Sequence, residues 1–138
     1  MKGKSVEWKD EYRVGIVDID EQHQAIAQFI SSIIREVAQQ DGWSDIHLHL
    51  VNLTALVQTH FNLEEGLMRI HDYPHLEEHA ADHKQYSAEL KTLQERAPAR
   101  DVLLDRIRFL HQWWFEHIRK HDKPFAFHVL KRMALGKS

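Results

Sequence analysis

The chain has 138 residues, with 18 Lys+Arg against 21 Asp+Glu and a formal net charge of -3. That length is one ordinary domain, 1–138, able to bury about two-thirds of its unfolded surface without a covalent staple. Cysteine is absent, which excludes disulfides, zinc–thiolate sites, iron–sulfur clusters and a thiol nucleophile, and the charge balance speaks against a nucleic-acid partner.

Residues 1–18 read as an N-terminal arm. Its charged opening, "MKGKSVEWKDEY", has no apolar signal-peptide core, and no run approaches the roughly 18 apolar residues of a membrane span. The expectation is a soluble cytoplasmic protein with no membrane insertion. A first helix is expected over about 19–40, capped by Asp18 or Asp20, because Ile19, His23, Ile26, Ile30, Ile33 and Val37 recur every three or four residues. Gly42 offers a positive φ and Ser44 a cap for a second helix over 44–70, whose stripe is Ile46, Leu50, Leu53, Leu56/Val57, His60, Leu63/Glu64 and Leu67. Gly66 within it would ease close helix packing. Asp72 and Pro74 suit the start of a third helix, 74–96, carrying Leu76, His79, His83, Tyr86, Leu90 and Leu93. A fourth, 101–121, carries Leu103, Ile107, Leu110, Trp113/Trp114 and His117, and a short helical piece over 125–133 follows Pro124. Short connections make sequential helices antiparallel, so the fold class is all-α: an up-down-up-down four-helix bundle with an N-terminal arm and a short C-terminal helix.

The outlier is histidine, with 12 copies. Polar residues need partners in a bundle core, yet His23, His60, Glu64, His79, His83 and His117 all sit on apolar stripes. His60/Glu64 and His79/His83 are i,i+4 pairs and share a face. Starts of odd helices and ends of even helices meet at one end of an up-down bundle, so all four helices aim these groups at one layer. Unbound, five packed imidazoles would repel when protonated and leave nitrogens unsatisfied when neutral. Asp122 is the awkward member: five residues after His117, it turns away on a regular helix and joins the set only through a locally widened turn or a helix end before Pro124. His47, His49, His71, His75, His111, His121 and His128 are expected to be solvated or at helix ends.

Five nitrogens and two carboxylates exceed the needs of one ion. Two bridging carboxylates would hold two ions, the nitrogens dividing three and two, and sulfur-free ligation suits non-haem iron, with manganese and zinc as competitors. Ile26, Phe61, Trp113, Trp114 and Ile118, with Phe29 beside them, would form an apolar pocket that disfavours charged substrates.

The segments "VGIVDIDEQH" ending at His23, "HFNLEEGLM" from His60, "HAADH" over His79–His83 and "HIRKHD" from His117 to Asp122 together resemble the hemerythrin family, in particular its single-domain bacterial members. The resemblance implies two oxo- or hydroxo-bridged iron ions. His79, His83 and His117 would serve a six-coordinate iron and His23 and His60 a five-coordinate one, bridged by Glu64 and Asp122. It further implies reversible dioxygen binding, held as hydroperoxide, for storage, delivery or sensing. It implies a non-enzymatic role, although a diiron enzyme reducing peroxide or nitric oxide is the alternative. An oxygen-using enzyme or a reductase would be the protein partner, and a monomer the default. Two positions depart from the family's usual pattern: Trp114 stands where Leu is common, and Phe125 where Tyr is common.

Overall fold

In the computed structural model, which describes residues 8–136, the three- and four-residue spacings become five helices. These are α1 (Val17–Ala38), α2 (Trp43–Ile70), α3 (Leu76–Glu95), α4 (Arg100–His117) and α5 (Lys123–Gly136), with a π-helical turn, Ile118–Asp122, between α4 and α5. The chain is an all-α up-down-up-down bundle with an N-terminal arm. α1 packs along α2 and α4, and α2 along α3; α3 meets α4 through Tyr86, whose hydroxyl donates to the Leu110 carbonyl at 3.3 Å. No helix among the described residues is long and apolar enough to cross a membrane.

The apolar stripes face inward, and burial decides the doublets: Val57 and Glu64 are buried whereas Leu56 and Leu63 are exposed, and Trp114 is fully buried whereas Trp113 is half-buried. The helix boundaries correct several expectations. α1 begins after Ile16, and neither Asp18 nor Asp20 caps it. Asp20 instead reaches back to accept hydrogen bonds from the amides of Val14 (2.7 Å) and Gly15 (3.2 Å). Gly42 precedes α2 with φ -65, and no side chain, Ser44 included, caps that helix. The left-handed position is Gln40, at φ 63; there the Asp41 amide donates to Glu36 and the Gln40 amide to Val37, closing the last turn of α1. Asp72, at φ 52, closes α2 in the same way through Tyr73–Met68 and Asp72–Arg69 bonds, so it ends the second helix and does not cap the third. Pro74 lies in the turn before α3. A Cβ on Gly66 would meet nothing within 4 Å, so this glycine eases no helix contact. His111, expected near solvent, is buried in the middle of α4, because its position continues the inward face beside Ile107 and Leu110.

The fourth helix does not stop at 121. The Lys123 amide donates to Ile118, five residues back, so the chain widens for one turn and runs on into α5. Pro124 is accommodated in the first turn of α5, where a missing N–H costs little.

The arm crosses the bundle. Tyr12 packs on Phe115 with ring centroids 4.6 Å apart, and Trp8 on Tyr12 at 5.5 Å. The apolar interior falls into two clusters. The larger includes Ile26, Phe61, Tyr86, Trp114 and Ile118; the smaller joins Ile19, Met68, Phe125 and Val129. Along the chain the predicted donor residues lie between members of the two clusters, as His23 does between Ile19 and Ile26, and His117 and Asp122 do between Trp114 and Phe125. A polar layer therefore divides the core near one end.

Gly15 has φ +99, and a Cβ there would stand 3.2 Å from Leu130 Cδ1. Gly15→Ala should lower stability by about 1–2 kcal/mol, read as a lower urea midpoint at unchanged slope; an unchanged midpoint would show that the arm is not held in this conformation.

Candidate metal centre

The layer brings together all seven expected side chains. His23 comes from α1, His60 and Glu64 from α2, His79 and His83 from α3, His117 from the end of α4, and Asp122 from the end of the π-turn. None is more than 2% exposed. The wide turn turns Asp122 back onto the face of His117: Asp122 Oδ1 lies 3.2 Å from His117 Nε2 and 2.8 Å from His79 Nε2.

Each carboxylate presents one oxygen to each side of the layer. Glu64 Oε2 lies 2.9 Å from His60 Nε2 and 3.1 Å from His23 Nε2, while Oε1 lies 3.1 Å from His83 Nε2 and 3.7 Å from His79 Nε2. Asp122 divides likewise, Oδ2 toward His23 at 3.0 Å and Oδ1 toward His79 and His117. The donor atoms consequently form two groups, each spanning no more than 4.8 Å: Glu64, Asp122, His79, His83 and His117, and Glu64, Asp122, His23 and His60. Both carboxylates belong to both groups. Two ligands at right angles, each about 2.1 Å from an ion, lie about 3 Å apart, which is the spacing found here.

Three of the histidines are braced from outside the layer. His60 Nδ1–H donates to Gln22 Oε1 (2.6 Å), His83 Nδ1–H to Glu65 Oε2 (2.8 Å) and His117 Nδ1–H to Asp82 Oδ2 (2.7 Å). In each case the acceptor sits on the preceding helix, next in sequence to a donor of the layer: Gln22 beside His23, Glu65 beside Glu64, Asp82 beside His83. Such outer acceptors fix the tautomer and leave Nε2 free to ligate. As neutral rings with Nδ1–H committed outward, His83 and His117 would point two Nε2 lone pairs at each other across 3.1 Å, and Glu64 Oε1, His60 Nε2 and Asp122 Oδ2 are buried without hydrogen-bond partners. Bare lone pairs in that arrangement repel, and cations between them remove the repulsion. The residues therefore fit two metal ions. Sequence reasoning missed Gln22, Glu65 and Asp82; their adjacency to donor positions was the available signal, but only the packing shows which helix each one faces.

Of the expected pocket residues, Ile26, Phe61, Trp114 and Ile118 are fully buried against one another. Trp114 lies over the two-histidine side, with its ring 5.7 Å from His23 and 5.8 Å from His60. Its indole N–H donates to the His23 carbonyl at 3.1 Å, so it is not turned toward the ions. Trp113 packs against the same cluster from the three-histidine side, stacked on His117 (4.7 Å, 8°) and tilted against Tyr86 (4.2 Å, 32°). Phe29 is half-buried beside His49. Phe61 stacks on His83 at 3.8 Å and Phe125 meets His79 edge-on at 5.7 Å.

Burial opposes protonation of His23 and His117, yet the charges and hydrogen bonds of Asp122, with Glu64 beside both and Asp82 beside His117, raise them to about 9 and about 10. Burial pushes Glu64 and Asp122 upward, joined at Glu64 by the charge of Asp122, but the histidines prevail and hold both well below the usual carboxylate range. Groups raised on folding stabilise fully below the unfolded value near 6.5 and lose that contribution as pH rises through the folded value. The metal-free protein should therefore lose stability between pH 6.5 and 10, whereas the loaded protein, whose histidines ligate as neutral rings, should not. Urea midpoints of both forms across that range provide the check, and parallel curves would refute it.

A family profile described as Hemerythrin HHE cation binding domain matches residues 14–126. The chain is 28% identical over 125 residues to a bacteriohemerythrin of Stenotrophomonas maltophilia (strain R551-3), covering 88% of this chain and 80% of the relative. It is 30% identical over 115 residues to a myohemerythrin of Riftia pachyptila (83% and 86%), and 29% identical over 118 residues to a bacteriohemerythrin of Methylococcus capsulatus (strain ATCC 33009 / NCIMB 11132 / Bath) (84% and 89%). No solved structure matches the chain.

Proposed function

The chain belongs to the hemerythrin family, and from that premise we propose that it binds dioxygen reversibly at a pair of iron ions, serving oxygen storage, delivery or sensing. The observation that carries this reading is the unequal division of donors, three histidines against two, around two shared carboxylates. His79, His83 and His117 would hold one ion, His23 and His60 the other, with Glu64 and Asp122 bridging; the second ion then has one protein donor fewer. Two iron ions supply the redox equivalents and the open coordination position that dioxygen binding requires.

The chain's own residues supply orientation and exclusion. Gln22, Glu65 and Asp82 hold three rings in the tautomer that turns Nε2 inward. Trp114 covers His23 and His60 and packs in one apolar cluster with Phe61, Ile26 and Ile118, a surface that admits a small neutral diatomic and disfavours charged molecules and water. The hydrogen bond from Trp114 to the His23 carbonyl ties this wall to the backbone that carries a donor.

The test is spectroscopic: reduce the iron-loaded protein anaerobically, admit air, and then remove oxygen. A charge-transfer band that appears with air and disappears on removal is expected. Direct passage to the oxidised form with no oxygenated species, or sustained turnover of peroxide or nitric oxide with a reductant, would replace carriage with enzymatic chemistry. Trp114→Leu should keep the iron content and accelerate autoxidation roughly tenfold, because the smaller side chain lets water approach, while Trp114→Phe should fall between the two. Unchanged rates in a fully loaded Leu variant would remove Trp114 from this role.

A further inference from the structure

The donor layer is sealed, with every donor residue at most 2% exposed, so ions cannot enter without crossing its wall. Two surface cavities reach a donor histidine. One, of about 140 Å³, is lined by Asp82, Trp113, Glu116, His117, Lys120 and His121. The other, of about 300 Å³, reaches His79 and shares Lys120 and His121 in its lining, with Glu78 beside them. Both lie on the side of α3 and the π-turn. His121 stands between them, with its ring 5.2 Å from His117 and 5.5 Å from His79.

A third set of potential ligands lies here, on the outer side of His117: Asp82, His121 and His117 itself, whose donor atoms fall within 4.8 Å of one another. His121 Nε2 is 3.7 Å from Asp82 Oδ2, a separation that two ligands about 2.1 Å from one ion would adopt. Asp82 and His121 are half-buried in the lining of the smaller cavity, and the exposed Glu116 lines it too. Resting on the two-ion reading of the centre, we propose that Asp82 and His121 form an outer divalent-cation site through which ions pass to the buried donors. The oxygen of Asp82 that faces His121 is also the one that accepts the His117 Nδ1 proton. A cation arriving on Asp82 competes for that oxygen and loosens the ring standing between the cavity and the centre. Lys120, lining both cavities, places a positive charge that slows cation approach.

The test follows cobalt(II) uptake by the metal-free full chain in a stopped-flow spectrometer, with final metal content measured by elemental analysis. Wild-type loading should saturate with cobalt concentration and end at two ions per chain. His121→Ala, or His121→Gln if alanine disturbs the helical circular dichroism, should load about tenfold more slowly yet reach the same two ions. Lys120→Gln should load several-fold faster at an unchanged urea midpoint of the metal-free protein, and the slower loading of the His121 variants runs opposite to what general destabilisation of the π-turn, which opens the wall, would produce. A His121 variant loading at the wild-type rate overturns the proposal. So does one that ends below two ions, which would make His121 part of the inner centre. Wild-type protein that takes up fewer than two ions overturns the two-ion reading itself.

Discussion

Seven polar groups buried in one layer of a helical bundle impose the constraint around which this protein is arranged. Desolvating five imidazoles and two carboxylates is costly unless each finds a partner, and here the partners are one another and the two cations the donor set is able to hold. Each of α1–α4 contributes to the layer, so its geometry ties these four helices together at one level. The apolar core, interrupted there, continues on both sides: Ile26, Phe61, Trp114 and Ile118 above, and Ile19, Met68, Phe125 and Val129 below. These two clusters shield the layer from water and set its low dielectric.

Two devices align the layer. The π-turn adds one residue to a single turn after His117, and through it Asp122 faces the same layer while the chain continues as α5. Without that residue the second carboxylate would point elsewhere, and the two donor groups would share Glu64 alone. The other device is the succession of braces from helix to helix. Gln22 on α1 holds His60 on α2, Glu65 on α2 holds His83 on α3, and Asp82 on α3 holds His117 on α4. Each brace neighbours a donor in sequence, so a small rotation of one helix moves both its own donor and the ring it supports. His23 and His79 are the two whose Nδ1 atoms lack such a partner.

The two sides of the centre differ in their access to water. Over His23 and His60, Trp114 is locked by its hydrogen bond and wholly enclosed. Over His79 and His117, the covering residues are half-buried Trp113 and His121, with cavities and carboxylates outside them. One face is suited to a small apolar ligand, the other to charged species. The same bundle end thus separates the surface that shields from the surface that communicates with solvent.

Much of this was legible in the sequence, because helical periodicity is a local property. The stripes from Ile19 to Val37 and from Ile46 onward specify helices and their inner faces, and the short connections specify the up-down order. Histidine and glutamate at i,i+4 on those stripes, at matching heights, identify the donors. Helix ends were read less well: Asp20, Gln40 and Asp72 act through the arm and through left-handed closing turns, where backbone geometry outweighs capping preference. His111 shows the same limit, since its burial follows from the face it occupies and not from its residue type. Tertiary packing alone decided which side each doublet residue faced, that the Trp114 indole bonds to a backbone carbonyl, that the turn before Asp122 widens, and which helix Gln22, Glu65 and Asp82 brace. Those outcomes depend on contacts between residues distant in the chain, and a pattern that repeats every three or four residues carries no information about them.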